Sequence, residues 1–131
     1  EGDVWGDKGP YAGLGAFVVK KCGLHLSGPY YIPHIRVDSY SVYTNNIFAS
    51  AMRGFGVSQA AIAHEGQMDE LAGKLGINPL RLRLINCLKN GLSTATGQVF
   101  HEGVGIEATL EKIREIARKD PSLHRYWEDL T

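Results

Sequence analysis

Between Ala51 and Gln59 the chain reads Ala-Met-Arg-Gly-Phe-Gly-Val-Ser-Gln, and a helical pattern starts at once behind it. Two glycines flanking one phenylalanine mark neither a regular strand nor a helix interior. They permit positive φ and let the backbone approach another group with no Cβ between. The first amides of the following helix are unpaired and carry the positive end of its dipole. Such a junction suits an anionic or oxo ligand. Arg53 adds a fixed fork of donors, and Phe55 adds a flat face for an aromatic ring. Chain reversal and close helix packing explain the same glycines without any ligand. A dinucleotide loop is disfavoured, because Gln59 replaces the last glycine of Gly54-x-Gly56-x-x and no clean strand leads in.

Around this loop the sequence predicts an α+β, helix-rich chain. Residues 1–15, with Gly2, Gly6, Gly9, Pro10, Gly13 and Gly15, read as an extended opening segment with turns. Phe17, Val18, Lys21 and Leu24 fall at helical spacing across residues 15–26. Residues 34–43 read as a strand, with Ile35 and Val37 on one face and Tyr40 and Val42 on the other. That switch of phase predicts a bulge at Asp38-Ser39. Residues 58–75 form the clearest helix, with Ala61, Met68, Leu71, Ala72 and Leu75 on one face and Gly76 as C-cap. Asn78 caps the next helix with Pro79 at its first position, an apolar stripe of Leu80, Leu84, Ile85 and Leu88, and Gly91 as its end. After a loop at 91–105, residues 106–119 carry Ile106, Leu110, Ile113 and Ala117 in register. A short helical piece bearing Tyr126 and Trp127 follows. With one or two strands, the sheet is expected to need a partner segment or subunit.

Lys+Arg and Asp+Glu both number 14, so no net field favours nucleic acid or anionic lipid. The longest apolar run, Ala16–Val19, is too short to span a membrane. Cys22 and Cys87 form no CxxC and read as small core residues, which points to a reducing cytoplasm. His64-Glu65 opens like a zinc-protease motif, but Met68 stands where the second histidine belongs, and the remaining histidines have no ligand spacing. Glu65, Asp69 and Glu70 group near one helix face, either as a solvated cluster or, for Glu65 and Asp69, as braces for the arginine loop. Ser58 and Ser93 lack the context of a hydrolase nucleophile.

The run Tyr43-Thr44-Asn45, then Ala51-Met52-Arg53-Gly54-Phe55-Gly56 with Gln59, resembles the molybdenum-binding large subunit of the xanthine dehydrogenase and aldehyde oxidase family. Gly9-Pro10-Tyr11-Ala12 and Gly28-Pro29-Tyr30-Tyr31-Ile32-Pro33 upstream are similar to that family too. So are Glu65–Ala72 and Asn78–Arg83 downstream, with Asn86 and Gly91. The resemblance covers most of residues 9 to 115 in order. Together with the absent start methionine, it leads to the expectation that residues 1–131 are a single-domain piece of a molybdopterin-binding subunit. That piece divides into the opening segment 1–15, the ligand-facing loop 51–59 and the helical part 58–131.

The resemblance implies an oxidoreductase that hydroxylates a heteroaromatic or aldehyde carbon with oxygen from water. Molybdopterin-bound molybdenum is the implied cofactor. The implied partners are the rest of the large subunit, with [2Fe–2S] and FAD on separate domains or subunits. By the same resemblance, Met52, Arg53 and Gly54 lie against the cofactor's oxo ligand, and Phe55 holds a flat substrate ring. Lys21 (Lys20 under an alignment shift of one) matches the basic substrate residue of purine-oxidising members. The base glutamate is expected outside these residues, so none of them is assigned a catalytic role. Ser58 departs from the family, in which many members have proline. With one cofactor loop present, the isolated piece is expected to be inactive. The alternative is a non-catalytic helical interaction module that keeps the family scaffold.

Overall fold

The computed structural model describes the backbone of residues 1–126 and the side chains of residues 1–123, so the side chains of Tyr126 and Trp127 lie outside the described residues. In chain order the elements are β1 (Gly2–Asp7), α1 (Gly15–Leu24), β2 (Val37–Val42), α2 (Val57–Leu75), α3 (Pro79–Asn86) and α4 (Ile106–Arg118), with a 3₁₀ turn at Pro121–Tyr126. The fold is α+β, as the sequence predicts. Two compact units share the chain: Glu1–Gly28 with His34–Glu65, and Pro29–Pro33 with Gly66 onward.

In the first unit β1 and β2 pair in parallel, in unbroken register from Gly2↔Val37 to Asp7↔Val42. The sheet is thus formed within the chain, and the opening segment supplies one of its strands. Its glycines have a packing reason. A Cβ on Gly6 would overlap Val19 of α1, and one on Gly23 of α1 would overlap Ser39 of β2. Bare backbone on one partner and a small serine on the other let α1 lie flush on both strands. The predicted bulge is absent, because the register runs straight through Asp38 and Ser39. Val37 and Ser39 both meet α1, so the inner face continues as small polar residues and alternation never switches. Tyr40 lies on the outer face and stacks on Trp5, with centroids 4.2 Å apart at 17°.

On α1 the packed residues are Gly15, Val19 and Cys22, whereas the predicted Phe17 and Leu24 are exposed. A similar shift occurs on α2. Ala60 and Ala72 are fully buried, Met68 is half-buried, and Leu71 and Leu75 stay exposed. On both helices small residues are buried while several larger apolar side chains are left outside. The exit of α2 is as read from the sequence. Gly76 has φ +65, its N–H donates to the Gly73 carbonyl, and the Ile77 N–H reaches back to the Ala72 carbonyl.

In the second unit Asn78 caps α3, its side-chain oxygen accepting from the N–H groups of Leu80 (2.8 Å) and Arg81 (3.3 Å). The helix stops at Asn86, short of the predicted Gly91. Cys87 turns extended and pairs with Tyr30, while the Leu88 N–H donates to the Pro29 carbonyl at 2.9 Å. Leu80, Cys87 and Leu110 form the core here, with Leu84 and Ile106 against them. Leu82 is also buried, whereas Ile85 and Ile113 are exposed. Asp69 pairs with Arg83 at 2.7 Å and so ties α2 to α3 rather than bracing the arginine loop.

Candidate functional site

The loop that enters α2 belongs to the first unit, and its backbone is left-handed at three successive residues. Gly54 has φ +97, Phe55 +53 and Gly56 +92. Phe55 is the non-glycine residue with positive φ among the described residues, a conformation that costs on the order of 1–3 kcal/mol where it occurs. Two hydrogen bonds knit the turn: the Phe55 N–H donates to the Met52 carbonyl (2.9 Å), and the Val57 N–H to the Gly54 carbonyl (3.1 Å). Ser58, on the first turn of α2, stands where a Cβ on Gly54 would go. Gly56 is buried on α1, and the Ala60 N–H donates to its carbonyl at 3.1 Å.

This geometry sorts the residues singled out from the sequence. Met52, Arg53 and Gly54 are exposed on one turn, and Phe55 is half-buried. The Arg53 guanidinium makes no ion pair or hydrogen bond with the described residues. Lys21, half-buried on α1, holds its Nζ 5.8 Å from the centroid of the Phe55 ring. Lys20, the adjacent alternative, is exposed. Gln59 is exposed on α2. An exposed guanidinium beside a glycine turn fits an oxo- or phosphate-rich group, and a ring with a cation over it fits a flat anionic molecule.

Glu70 pairs with Lys74 at 2.7 Å, and Glu65 lies 3.5 Å from His64. His64 has its ring beneath Gly28. His25 Nδ1 lies 2.9 Å from the Lys21 carbonyl oxygen, and His34 and His101 are exposed. No group of three His, Cys, Asp or Glu side chains is placed to hold a metal ion among the described residues. Burial pushes both thiols up, Cys87 also through the nearby Glu107 carboxylate, so neither is an activated nucleophile.

One feature carries no signal in the sequence: a clamp that holds the approach to this loop. The Asp7 carboxylate, at the end of β1, accepts from the Thr44 hydroxyl, the Asn46 side-chain amide and the Gly9 N–H. Beside it Lys8 is buried, with its Nζ 3.2 Å from the centroid of the Tyr43 ring. Thr44 first and Asn46 second hold Asp7 below the usual carboxylate range. A depressed folded pKa gives stability that is present above the unfolded value and lost as pH falls through the folded one. Asp7→Asn is therefore expected to destabilise the parent protein at neutral pH. The difference from wild type should shrink as pH falls below the ordinary aspartate value and on through the lowered folded one. Thermal unfolding of both proteins from pH 2 to 7 measures this, and parallel curves across the range would refute it.

A parallel βαβ unit leads through a glycine-turned arginine–phenylalanine loop into a long helix. Residues 1–87 match the molybdopterin cofactor-binding domain, and the chain belongs to that family. It is 48% identical over 115 residues to the nicotinate dehydrogenase large molybdopterin subunit of Eubacterium barkeri, covering 88% of this chain and 27% of that subunit. With the xanthine dehydrogenase molybdenum-binding subunit of Escherichia coli it shares 33% identity over 115 residues, 87% of this chain and 15% of the relative. Among solved structures, the aldehyde oxidoreductase from Desulfovibrio gigas superposes with a TM-score of 0.82 at 34% identity, over 89% of this chain and 13% of that one. The chain thus spans about a quarter or less of the lengths of these relatives.

Proposed function

We propose that this chain is the part of a molybdenum hydroxylase that lines one side of the molybdenum site and receives the substrate ring. The observation that carries this reading is the Lys21 Nζ over the Phe55 ring, 5.8 Å from its centroid, on the loop where Arg53 is exposed and makes no ion pair or hydrogen bond with the described residues. When bound, the molybdenum cofactor supplies the oxygen-transfer and two-electron chemistry. Arg53 and the glycine turn would hold its oxygen-rich face with donors already in place. Phe55 would stack a planar heteroaromatic ring, and Lys21 would orient it through an edge carboxylate or another anionic group. The half-buried setting of both side chains strengthens that charge contact over one in open water.

On this reading the base glutamate and the remaining cofactor loops lie outside residues 1–131. The [2Fe–2S] and FAD centres sit on partner domains or subunits, and the isolated chain does not turn over. No helix among the described residues is long and apolar enough to cross a membrane, which agrees with the cytoplasmic location proposed here. Exposed Ile62, Leu71 and Leu75 on α2 favour a second reading, a non-catalytic interaction module.

The deciding experiment uses the parent polypeptide, with its molybdenum content measured beside its turnover. Lys21→Met is expected to raise KM for a pyridine carboxylate about tenfold, roughly the value of one partly buried charge contact. It should leave kcat and the KM for a neutral pyridine aldehyde within about twofold. A parent without molybdenum and without hydroxylation would transfer the case to the interaction-module reading.

A further inference from the structure

We infer that the seam where Gly56 rests on α1 is a positioning device that fixes the spacing between Lys21 and Phe55, and with it the size of ring accepted. The inference rests on the substrate reading above. Gly56 is buried, and a Cβ there would overlap the Val18 carbonyl oxygen and come within 3.1 Å of both the Cys22 Cβ and the Cys22 N. The loop therefore touches α1 as bare backbone on bare backbone. Cys22, 8% exposed, supplies a side-chain wall to that contact, and Lys21 is its neighbour on the helix. Phe55 is the neighbour of Gly56. The two groups that would meet the substrate are each one residue from the seam.

The Gly56 end of the loop is held on both sides. Gly56 is tied to α2 through the Ala60 N–H, and Ala60 is fully buried. Phe55 is left-handed at φ +53 and cannot relax toward an ordinary conformation while both of its neighbours are held. The resulting gap of 5.8 Å between Lys21 Nζ and the ring centroid has a steric consequence. A ring inserted between ammonium and phenyl needs about 7 Å, twice the ~3.5 Å contact distance of carbon atoms. With Lys21 Nζ over the Phe55 ring, the gap is too narrow for a second ring to enter between them. A ring stacking on that face must lie to one side of the ammonium and meet it at its own edge, which selects small rings with an anionic edge group. A wider seam would admit larger rings and loosen that edge contact.

The test replaces Cys22 in the parent holoenzyme and compares a monocyclic with a bicyclic ring carboxylate as substrates. Cys22→Val pushes Gly56 away from α1. It is expected to move the ratio of kcat/KM values about tenfold toward the bicyclic ring, through KM, with kcat within about twofold. Cys22→Ser, of nearly equal size, should keep the wild-type ratio. As a readout independent of turnover, 4-fluorophenylalanine at position 55 should show a moved ¹⁹F resonance in Cys22→Val and an unmoved one in Cys22→Ser. An unchanged ratio and resonance in a folded Cys22→Val protein overturn the inference. If that variant does not accumulate, Cys22→Ala decides: a broadened resonance with an altered ratio supports the seam, and wild-type behaviour overturns it. Lys21→Met separates the two levels. A Lys21→Met effect without a Cys22 effect removes only the seam, and the absence of both removes the substrate reading itself.

Discussion

Arg53→Ala in the full-length parent is expected to lower kcat/KM by about 100-fold at unchanged molybdenum content. Removing one donor to developing charge in an active site typically costs ~10²–10³ in rate. The substitution is also a clean one. Arg53 is exposed, and its guanidinium makes no ion pair or hydrogen bond with the described residues, so no structural partner is orphaned. The turn around it is knit by the backbone of Met52, Gly54, Phe55 and Val57, which the mutation leaves alone. Arg53→Lys keeps the charge and loses the planar fork, so it should fall between wild type and alanine. Arg81→Ala, another exposed arginine in the second unit, serves as the control and should turn over normally. Steady-state kinetics alongside elemental analysis read all three. Wild-type kcat/KM in a molybdenum-replete Arg53→Ala protein would remove the loop from the reaction.

The helices were legible because their ends carry local chemistry. Asn78 with Pro79 starts α3, and Gly76 stops α2, each through hydrogen bonds to residues within six positions. Their buried faces were less so. Hydrophobic spacing weighs Leu71, Leu75 and Ile85 above Ala60 and Ala72, yet the alanines are the buried residues and the larger side chains stay outside. β1 was hidden for a related reason. Glycines read as turns in isolation, and only the presence of α1 against Gly6 shows them as the floor under a helix.

The candidate site divides in the same way. Its loop was visible as a pattern of glycine, arginine and phenylalanine. The approach of Lys21 to Phe55 is a tertiary fact, which no periodicity contains and which only the family resemblance suggested. The Asp7 clamp joins residues far apart in the chain, and a lone aspartate at a strand end carries no sign of it.

Three glycine-to-alanine substitutions should give three different results, because they isolate the two demands placed on Gly56. Gly73 lies inside α2 with open space around it. Gly73→Ala removes only the flexibility of the unfolded chain and should stabilise by about 0.5–1 kcal/mol. Gly91 has φ +86 and equally open surroundings, so Gly91→Ala meets backbone strain alone, about 1 kcal/mol. Gly56 combines φ +92 with a seat against the Val18 carbonyl and Cys22. The atoms it would strike are mainly backbone of a helix, which cannot rotate aside as a side-chain tip can. To the strain, Gly56→Ala thus adds an overpacking cost of about 1–3 kcal/mol, for about 3 kcal/mol in total. Native-state hydrogen exchange in the parent reads this locally. Protection at Val19 and Ala60 should fall about 100-fold in Gly56→Ala, two decades at 1.4 kcal/mol each, while Gly91→Ala leaves those amides unchanged. Equal losses at Gly56 and Gly91 would mean that φ alone matters and that the loop does not press on α1. The inferred spacing of Lys21 and Phe55 would then lose its support, because only a loop in hard contact with the helix can hold it.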